Sequence, residues 1–352
     1  MTGRRRILVV SSVHPPDDPR IRWKLIETLR KGFDVTYVSQ GLPSQPMGFE
    51  VDVLAGGRVR RSLTAMWRLI RGRFDVAVIH DPELLPGAIL ARLFRRTIVF
   101  DMHENVVAQI RDKRSIPRFA RPVVALVVGL TLALAERVMP FTLAEDGYHA
   151  ALAKPHRVFA NYLPAISLEP KSTTPQSGVV YLGDVTEARG AMVLVEAMAG
   201  TMLTLHLIGR CRDDFANRLQ EKADLIGVDL VLHGFEPHAD ALASIGHHHL
   251  GVSPLLDLPN YHNSLPTKLL EYAAVGLPIV ASDLPGSRNV AVDLTGVELV
   301  PPGDVVELRA AIVRVAGDES LRSAVAADVE RVRSSYRWPA EDVVDFYTSV
   351  GR

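Results

Sequence analysis

Short apolar runs rich in β-branched residues alternate with stretches of helical periodicity along this chain, and this alternation constrains the fold more than any other feature. Most of the runs are apolar throughout, which is typical of parallel strands buried on both faces. In the first part of the chain the predicted strands are 6–12, 34–39, 51–54, 75–80, 97–101, 138–141 and 157–160. Strands separated by helices in this way predict βαβ units and a parallel sheet, so we expect an α/β fold.

A change of composition divides the alternation into two series. Residues 161–177, NYLPAISLEPKSTTPQS, contain three prolines and a polar tail, which is typical of a linker between domains. Beyond the linker the predicted strands are 178–183, 204–209, 230–234, 249–254, 279–282 and 297–302. The 352 residues suffice for two domains of ordinary size. We therefore predict Rossmann-like domains in residues 1–160 and 178–335, followed by a terminal helix within 336–352.

The composition is that of a globular enzyme rather than a fibrous or disordered chain, with 47% hydrophobic and 23% charged residues. A single cysteine, Cys211, excludes an internal disulfide and is compatible with a reducing cytoplasm. No apolar run reaches the roughly 18 residues that indicate a membrane-spanning helix. The run ILVVSS near the start is too short for a signal-peptide core. We expect a cytoplasmic protein.

The net charge is zero, but the two parts of the chain differ in sign. Residues 1–160 contain 25 lysines and arginines against 15 aspartates and glutamates, and residues 161–352 contain the reverse. A basic half is compatible with a nucleic acid, a membrane surface or an anionic ligand as partner. Zinc-finger spacings, basic–aromatic repeats and heptads are all missing from the sequence, so we predict no nucleic-acid partner.

The segment 260–285, NYHNSLPTKLLEYAAVGLPIVASDLP, predicts a polar loop, a short helix and a buried strand in close succession. Pro266 suits the first helical position, where no amide hydrogen is needed, and Ser264 is a common capping residue. Gly276 suits the left-handed residue that ends a helix. A helix start that faces a loop favours an anion, because free amides and the helix dipole both attract negative charge.

Lys268 lies in the first turn of this helix, where the dipole disfavours a cation, and a bound phosphate would remove the conflict. Glu271 follows three residues later, so both side chains share one helix face. A solvated Lys–Glu pair on an ordinary helix is the alternative interpretation.

The sequence NSLPTKLLEY resembles the donor-sugar motif of retaining GT-B glycosyltransferases of the GT4 type, also described as glycosyl transferases group 1. In that family the helix start holds the diphosphate, and a Glu at the position of Glu271 holds the ribose. The family's preceding Glu, close to the donor sugar, is replaced here by Asn263. The resemblance implies a retaining transfer from a UDP or GDP sugar to a hydroxyl of a glycan, glycolipid or small molecule, without a metal or cofactor. It also implies two domains facing across a cleft, with the terminal helix crossing back to the first domain.

The second domain contains further positions of this family pattern. In DVTEARGAM, Arg189 matches a basic residue that contacts the donor diphosphate, whereas Asp184 stands where the family has an Arg. The phosphate charge is therefore expected to rest on two cations and on amides at the helix start. The predicted donor contacts are Arg189, Ser264, Leu265, Lys268, Glu271 and the backbone at Pro254.

In the first domain, VFDMHEN resembles the DxHE segment of the same family, whose His faces the donor sugar and the acceptor. We predict His103 and Asn263 as catalytic residues, and a satisfied loop histidine is the alternative for His103. Other polar residues follow strands at the same sheet edge. The predicted acceptor side comprises His14, His80, Asp81 and Glu104. For Asp81, capping of the following helix is the alternative.

Two other functions stay open at this point. A nucleotide-sugar epimerase would use the same two-domain plan without an acceptor, and a non-catalytic homologue would bind a nucleotide sugar without turnover. The departures at Asn263 and Asp184 keep the second alternative in consideration. Turnover of the donor alone to an isomer would indicate the epimerase.

The segment 111–139 begins with five basic residues and continues as a nearly uncharged helix. The run 122–135 is apolar on all sides, which favours a helix buried in the core. The alternative is a peripheral membrane contact, in which basic residues meet anionic head groups and an apolar face enters the interface. A lipid-linked acceptor would fit that alternative.

Overall fold

The structure, a computed structural model, describes residues 4–44, 48–104, 110, 117–164, 178–262 and 264–350. The chain divides into two compact units. The first comprises Met1–Pro164 and Trp338–Arg352, and the second comprises Ala165–Arg337. Within the described residues each unit contains one parallel sheet covered by helices, so the predicted α/β class is confirmed.

The first unit is built on a parallel sheet. Its strands are β1 (Arg5–Val10), β2 (Phe33–Ser39), β3 (Glu50–Val53), β4 (Val76–Ile79), β5 (Ile98–Met102), β6 (Phe141–Leu143) and β7 (Arg157–Val158). Counted over the described residues, these seven strands have the order β3-β2-β1-β4-β5-β6-β7. The helices are α1 (Pro19–Ile26, continued by Glu27–Leu29), α2 (Arg58–Arg71), α3 (Leu85–Leu93) and α4 (Arg121–Val138), with short helical turns at Pro82–Leu84 and Asp146–Ala151. Asp18 caps α1 by accepting from the amides of Arg20 and Ile21.

The second unit repeats this plan. Its strands are β8 (Val179–Leu182), β9 (Leu205–Ile208), β10 (Leu230–Gly234), β11 (Leu250–Ser253), β12 (Ile279–Ser282) and β13 (Val297–Val300). The described strands form a six-stranded sheet with the order β10-β9-β8-β11-β12-β13. The helices are α5 (Ala191–Ala197), α6 (Asp213–Ile226), α7 (His238–Ile245), α8 (Thr267–Ala274), α9 (Pro285–Ala291), α10 (Val305–Ala316) and α11 (Glu319–Ser335), with one turn at Pro259–His262. Every residue of β8, β9, β11 and β12 is buried, as their apolar runs predict.

After α11 the chain returns to the first unit as α12 (Ala340–Ser349). Trp338, just before this helix, is 2% exposed and donates its Nε1–H to Thr28 Oγ1 at 3.0 Å. Val343 and Tyr347 are completely buried in the core cluster that α1 covers. The predicted return of the terminal helix to the first domain is therefore confirmed.

Each sheet has a point at which the strand order reverses. In the first unit β1 lies between β2 and β4, and in the second unit β8 lies between β9 and β11. Loops leaving the carboxyl ends of neighbouring strands diverge at such a point and leave a crevice, which is where ligands bind in open α/β sheets. The loops that carry His14 and Asp81 in the first unit, and Arg189 and Pro254 in the second, leave the sheets at these two places.

The expected burial of helix α4 is wrong for one of its faces. Ala125, Leu132 and Ala135 are buried, but Leu126 and Leu130 on the other face are each 62% exposed. A helix that is apolar on all sides buries only the face for which the sheet offers a partner. Within the described residues, none of the helices is both long enough and apolar enough to cross a membrane.

Candidate functional site

The helix that follows the predicted anion-binding loop starts one residue later than predicted. Pro266 occupies the cap position with φ −80° and ψ 81°, and α8 begins at Thr267. The expected capping by Ser264 is not made, because its hydroxyl instead donates to the carbonyl of Tyr261 at 3.5 Å. Gly276 has φ +78° directly after the helix, as predicted for a left-handed terminating residue. The amides of the first turn are thus left without a side-chain cap.

Lys268 extends from α8 across the end of β8. At Gly183, which ends that strand with φ +131°, a Cβ atom would lie 2.4 Å from Lys268 Cε and 2.6 Å from its Nζ. A side chain at this position would have to displace the end of the lysine, and the positive φ also favours glycine. The ammonium group lies 6.0 Å from the ring centroid of Tyr181. Lys268 is therefore held at the strand-order reversal of the second sheet, although it is distant from β8 in sequence.

Arg189 brings a second positive charge to the same place. Its guanidinium lies 5.9 Å from the ring centroid of Tyr261, in the turn before α8. Among the described residues, neither Arg189 nor Lys268 has a carboxylate within 4.0 Å. Burial, followed by the charge of Arg189, lowers the pKa of Lys268 from 10.5 to about 8. Two half-buried cations that lack a carboxylate partner among the described residues create a local positive charge that favours a strongly charged anion.

The loop after β11 closes one side of this cation site. Gly190 has φ +76°, and a Cβ atom there would lie 1.8 Å from the carbonyl oxygen of Pro254. The amide of Leu256 donates to the carbonyl of Ala188 at 3.4 Å. The backbone at Pro254 is therefore fixed against the turn that carries Arg189.

Glu271 is held by a histidine that sequence reasoning missed. Its Oε1 accepts from His238 Nε2 at 2.9 Å, and its side chain is 11% exposed. His238 lies in the first turn of α7, after the strand β10, and is 33 residues from Glu271 in sequence. A histidine at a helix start after a strand was the available signal. The solvated Lys–Glu pair considered as an alternative does not form, because Glu271 is bound by His238 and Lys268 passes over Gly183.

In the first unit, a buried aspartate organises the predicted acceptor side. Asp81 is 1% exposed and accepts hydrogen bonds from the amides of Ser12 and Val13 in the loop after β1. Its Oδ1 lies 2.6 Å from His14 Nδ1. Asp81 makes no capping bond to the helical turn that follows it, so the capping alternative is wrong. Instead it joins the loops that leave β1 and β4.

His103 completes a chain of hydrogen bonds from Asp81. Its Nε2 lies 2.8 Å from His14 Nε2, and its Nδ1 lies 3.2 Å from the carbonyl of Asp101. Burial alone would lower the pKa of His14, but the hydrogen bond and charge of Asp81 raise it to about 9. Burial, followed by the charge of His14, lowers the pKa of His103 to about 4. His14 is therefore the cation and donates at both nitrogens, while neutral His103 accepts at Nε2 and donates from Nδ1.

Behind this chain, Asp101 forms a buried ion pair with Arg20. The guanidinium donates to both carboxylate oxygens at 2.8 Å, and Thr142 Oγ1 donates to Oδ1 at 2.7 Å. Burial alone would raise the pKa of Asp101, but Arg20 holds it well below its usual range. His80 is completely buried, with Nδ1 3.3 Å from Asp101 Oδ2 but without hydrogen-bond geometry. Arg20 is thus a structural counter-ion of the site.

Two of the remaining predicted residues, Glu104 and Leu265, make no side-chain contact with these clusters among the described residues. Glu104 follows His103 and is exposed. Leu265 accepts from the amide of Thr267 at 2.9 Å, in the loop before α8. Asn263 lies outside the described residues, and so does the basic stretch 111–116. The structure therefore brings together Lys268, Arg189 and Pro254 in the second unit, beside a separate Glu271–His238 pair.

Comparisons with known proteins match both the sequence and the fold. A family model described as Glycosyl transferases group 1 matches residues 176–318, which contain the whole cation site. Phosphatidyl-myo-inositol mannosyltransferase of Mycobacterium leprae is 28% identical over 311 residues, covering 83% of this chain and 76% of the relative.

Solved structures resemble this chain over its full length. Sucrose-phosphate synthase of Thermosynechococcus elongatus aligns with a TM-score of 0.74 and 17% identity over 98% of both chains. HepE of Anabaena, solved in complex with UDP and glucose, aligns with a TM-score of 0.74 and 15% identity over 98% of both chains. At these identities the likeness shows the fold. The chain is therefore a glycosyltransferase with the GT-B fold of two Rossmann-like domains, and its residues 176–318 match the glycosyl transferases group 1 family.

Proposed function

We propose that this protein transfers a sugar from a nucleoside-diphosphate sugar to an acceptor hydroxyl with retention of the anomeric configuration. The observation that carries the proposal is the pair of cations, Lys268 and Arg189, without a carboxylate partner among the described residues. This pair of cations lies at the strand-order reversal of the second unit, which contains the residues that match the family model. A diphosphate supplies the negative charge that this pair lacks.

Each described residue of this site has a separate role in the proposal. Lys268 and Arg189 bind the diphosphate, and the uncapped first turn of α8 adds its amides. Glu271 accepts hydrogen bonds from the ribose hydroxyls, with His238 holding the carboxylate in place. The backbone at Pro254 contacts the base or the sugar.

In the reaction, the bond from the anomeric carbon to the phosphate oxygen breaks, and a bond to the acceptor oxygen forms on the same face of the sugar. The proton of the acceptor hydroxyl leaves with the nucleoside diphosphate. Negative charge develops on the departing phosphate, so Lys268 and Arg189 stabilise the transition state more than the bound substrate. Preorganised cations of this kind supply most of the catalysis without a nucleophile.

We assign the acceptor and the reacting sugar to the edge of the first unit formed by His14, His80, Asp81, His103 and Glu104. The chain Asp81–His14–His103 supports this assignment, because it keeps a charged and a neutral imidazole in contact at a strand-order reversal. A hydroxyl bound at His103 Nε2 would replace His14 as the donor there. The acceptor classes that fit are glycans, lipid-linked sugars and small molecules.

The proposed transfer uses no metal ion. A group formed by His80, Asp101 and His103 has ligand atoms within 4.8 Å of one another. Both oxygens of Asp101 already accept from Arg20, and a guanidinium at 2.8 Å repels a divalent cation. Activity should therefore persist in the presence of EDTA, and loss of activity that added Mg²⁺ or Mn²⁺ restores would contradict metal independence.

The exposed face of helix α4 bears on where in the cell the reaction takes place. We propose the cytoplasmic surface of a membrane, because helix α4 exposes an apolar face instead of burying it. The enzyme and a lipid-linked acceptor would then meet by diffusion along the membrane surface.

The central experiment is a donor screen followed by product analysis. UDP-glucose and GDP-mannose are tested by thermal shift, since a ligand at 100 times its Kd stabilises by about 2.7 kcal/mol. The stabilising donor is then incubated with pools of glycans, glycolipids and small glycosides, and the product's anomeric configuration is read by NMR. A product with the donor's configuration supports the proposal. Inversion, or conversion of the donor alone to an isomer, would refute it.

A matched pair of variants tests the donor site within this experiment. Glu271→Ala should weaken nucleoside binding about tenfold or more, because a hydrogen bond to a charged group contributes about 1.5–3 kcal/mol. Glu221→Ala, on the exposed side of α6, should leave it unchanged. Unchanged binding in Glu271→Ala would show that the ribose lies elsewhere.

A further inference from the structure

Helices α2, α3 and α4 form one continuous layer on the first unit. Their inner residues, including Leu69, Ala88 and Leu132, share a single core cluster beneath the sheet. Helix α3 packs against α2 on one side and against α4 on the other. We call the outer surface of this layer the three-helix face, defined by the exposed side chains of residues 58–71, 90–95 and 118–137.

Large apolar side chains cover this surface. Each is at least 45% exposed. They are Val59, Leu63, Trp67, Leu90, Leu93, Phe94, Phe119, Val123, Leu126, Val127, Leu130 and Leu134. On α4 the spacing from 123 to 134 follows the helical repeat, so these side chains form one stripe. Single exposed hydrophobic residues are ordinary, but a contiguous set on three adjacent helices marks an interaction surface.

The same surface is strongly basic. The helices α2, α3 and α4 contain eight arginines and one acidic residue, Glu136. Glu136 is 5% exposed and pairs with His156 at 2.8 Å, so it does not offset the exposed charge. Arg58 and Arg68 are paired with Glu83 and Asp52 at 2.8 and 2.7 Å, so other arginines carry the charge that is left for a partner. Arg60 and Arg137 are exposed, and Arg71 is exposed with its guanidinium 5.0 Å from the ring centroid of Trp67.

A groove at the start of α4 is lined by both cationic and apolar side chains. It has a volume of about 700 Å³ and is lined by Arg118, Arg121 and the apolar side chains of Ala125, Leu126 and Leu130, among others. Cationic groups at one end and aliphatic groups along the rest match the boundary between a phosphate head group and its acyl chains.

We propose that the three-helix face docks onto the surface of an anionic lipid bilayer. The apolar stripes enter the interface between head groups and acyl chains, while the arginines contact phosphate groups. The proposal extends the membrane contact predicted for residues 111–139 to α2 and α3. It rests on the proposed function only in its biological purpose, which is to bring the donor site to a lipid-linked acceptor.

The charge of the face favours a bilayer over a second copy of the chain. A two-fold contact through this surface would place exposed arginines of both copies opposite one another, with Glu136 buried and unable to compensate. An anionic surface provides the complementary charge for the exposed Arg60, Arg71 and Arg137 at once.

Vesicle flotation with the full-length protein tests the proposal. Vesicles of phosphatidylcholine mixed with phosphatidylglycerol should bind at least about tenfold more protein than vesicles of phosphatidylcholine alone. Molar sodium chloride should reduce the bound fraction, because it shortens the Debye length to about 3 Å. Absence of binding to the mixed vesicles at low salt, or equal binding to both vesicles, would overturn the proposal.

Two double variants separate the contributions of the surface. Leu126→Ser with Leu130→Ser removes part of the apolar stripe, and Arg60→Glu with Arg71→Glu reverses charge on α2. Because all four side chains are exposed, folding should be retained, and each double variant should lower vesicle binding about tenfold or more. The matched control, Met202→Ser with Leu225→Ser, removes two side chains of the second unit that are 98% and 81% exposed, and should bind as the wild type does.

Two further measurements keep the conclusion separate from the proposed function. Donor affinity in the absence of vesicles should be the same in all these variants, so a failure of vesicle binding leaves the donor site intact as a hypothesis. Sedimentation velocity would reveal a dimer. A dimer that the two double variants dissociate, together with absent vesicle binding, would replace the bilayer by a second copy of the chain.

Discussion

The proposed binding of a diphosphate by Lys268 and Arg189 permits a quantitative prediction for Lys268→Met. Methionine keeps the length and packing of the side chain but removes its charge. Loss of one charge-assisted contact to a phosphate costs about 1.5–3 kcal/mol, so the Kd for a nucleoside diphosphate should rise about 10- to 100-fold. The corresponding nucleoside has no phosphate, and its Kd should stay the same.

The pKa of Lys268 adds a second, independent signature. Burial and Arg189 lower this pKa from 10.5 to about 8. At about 1.4 kcal/mol for each pKa unit, the charged form costs about 3 kcal/mol before an anion arrives. As pH rises through 8 the free lysine loses its proton, so wild-type affinity for the diphosphate should fall between about pH 7 and 9.5, and Lys268→Met should lack this contribution.

The same pKa fixes the sign of the effect on stability. The unfolded chain, with the ordinary lysine pKa, binds more protons than the folded chain between pH 8 and about 10.4, so wild-type stability rises with pH in that window. At neutral pH the variant avoids the cost of a buried charge. Lys268→Met should therefore be at least as stable as the wild type, which separates an affinity loss from unfolding.

Isothermal titration calorimetry with UDP, GDP, uridine and guanosine is the assay. Lys222→Met is the matched control, because Lys222 lies in the same unit but is already paired with Glu196 at 2.7 Å. The reasoning is refuted if Lys268→Met binds the diphosphates as tightly as the wild type. It is also refuted by an equal loss for nucleosides, which would place the lysine beside the base or ribose.

Three other perturbations follow from the geometry. Gly190→Ala should lower the free energy of unfolding by roughly 1–3 kcal/mol and weaken donor binding. The reason is that φ is +76° and that the new Cβ would lie 1.8 Å from the carbonyl oxygen of Pro254. An unchanged midpoint of urea denaturation would contradict this contact. The pKa of His14 is raised to about 9, so its contribution to stability is complete below about pH 6.5 and is lost as pH rises through 9. Over that range the free energy of unfolding of the wild type should fall by up to about 3 kcal/mol relative to that of His14→Asn. Parallel pH profiles of the two proteins in urea denaturation would refute the pairing with Asp81. Trp338→Ala should destabilise the first unit by about 3–5 kcal/mol. In calorimetry, only the unfolding transition of the first unit should shift. If that transition keeps its temperature, the packing of α12 on the first unit is contradicted.

The sheets were predictable because a parallel strand buried on both faces requires a continuous run of apolar residues, which is visible in the sequence. The apolar runs at 230–234 and 279–282 coincide with β10 and β12. Gly276, which ends α8, was predictable for the same reason, since a left-handed residue after a helix strongly favours glycine. In each case the physical cause acts within a few residues of the chain.

Contacts between distant loops left no such signal. Asp81 precedes a helical turn, and its neighbours in sequence suggest a cap, yet its carboxylate is bound by the loop after β1 because β1 and β4 are adjacent in the sheet. His238 holds Glu271 because the loop after β10 reaches α8. Such partners depend on strand order, which the spacing of apolar runs does not specify.

Helix α4 shows a different limit of sequence reasoning. Its residues are apolar on all sides, and the usual inference from that pattern is burial. The layer on this face of the sheet contains only α2, α3 and α4, so no further element covers the outer side of α4 among the described residues. The same pattern thus describes a core helix and an interfacial helix, and only the tertiary structure separates them.

Net charge alone would place the anion in the first unit, which is the opposite of the unit that we propose. The first part of the chain is the basic one, but its cations near the strand-order reversal are neutralised, His14 by Asp81 and Arg20 by Asp101, both within 2.8 Å. The second part is acidic, yet Lys268 and Arg189 meet no carboxylate there within 4.0 Å among the described residues. The binding of a diphosphate depends mainly on charges within a few ångströms, because solvent screens those of the rest of the chain over a Debye length. The excess positive charge of the first unit is instead available on the three-helix face, where a surface rather than a small ligand can use it.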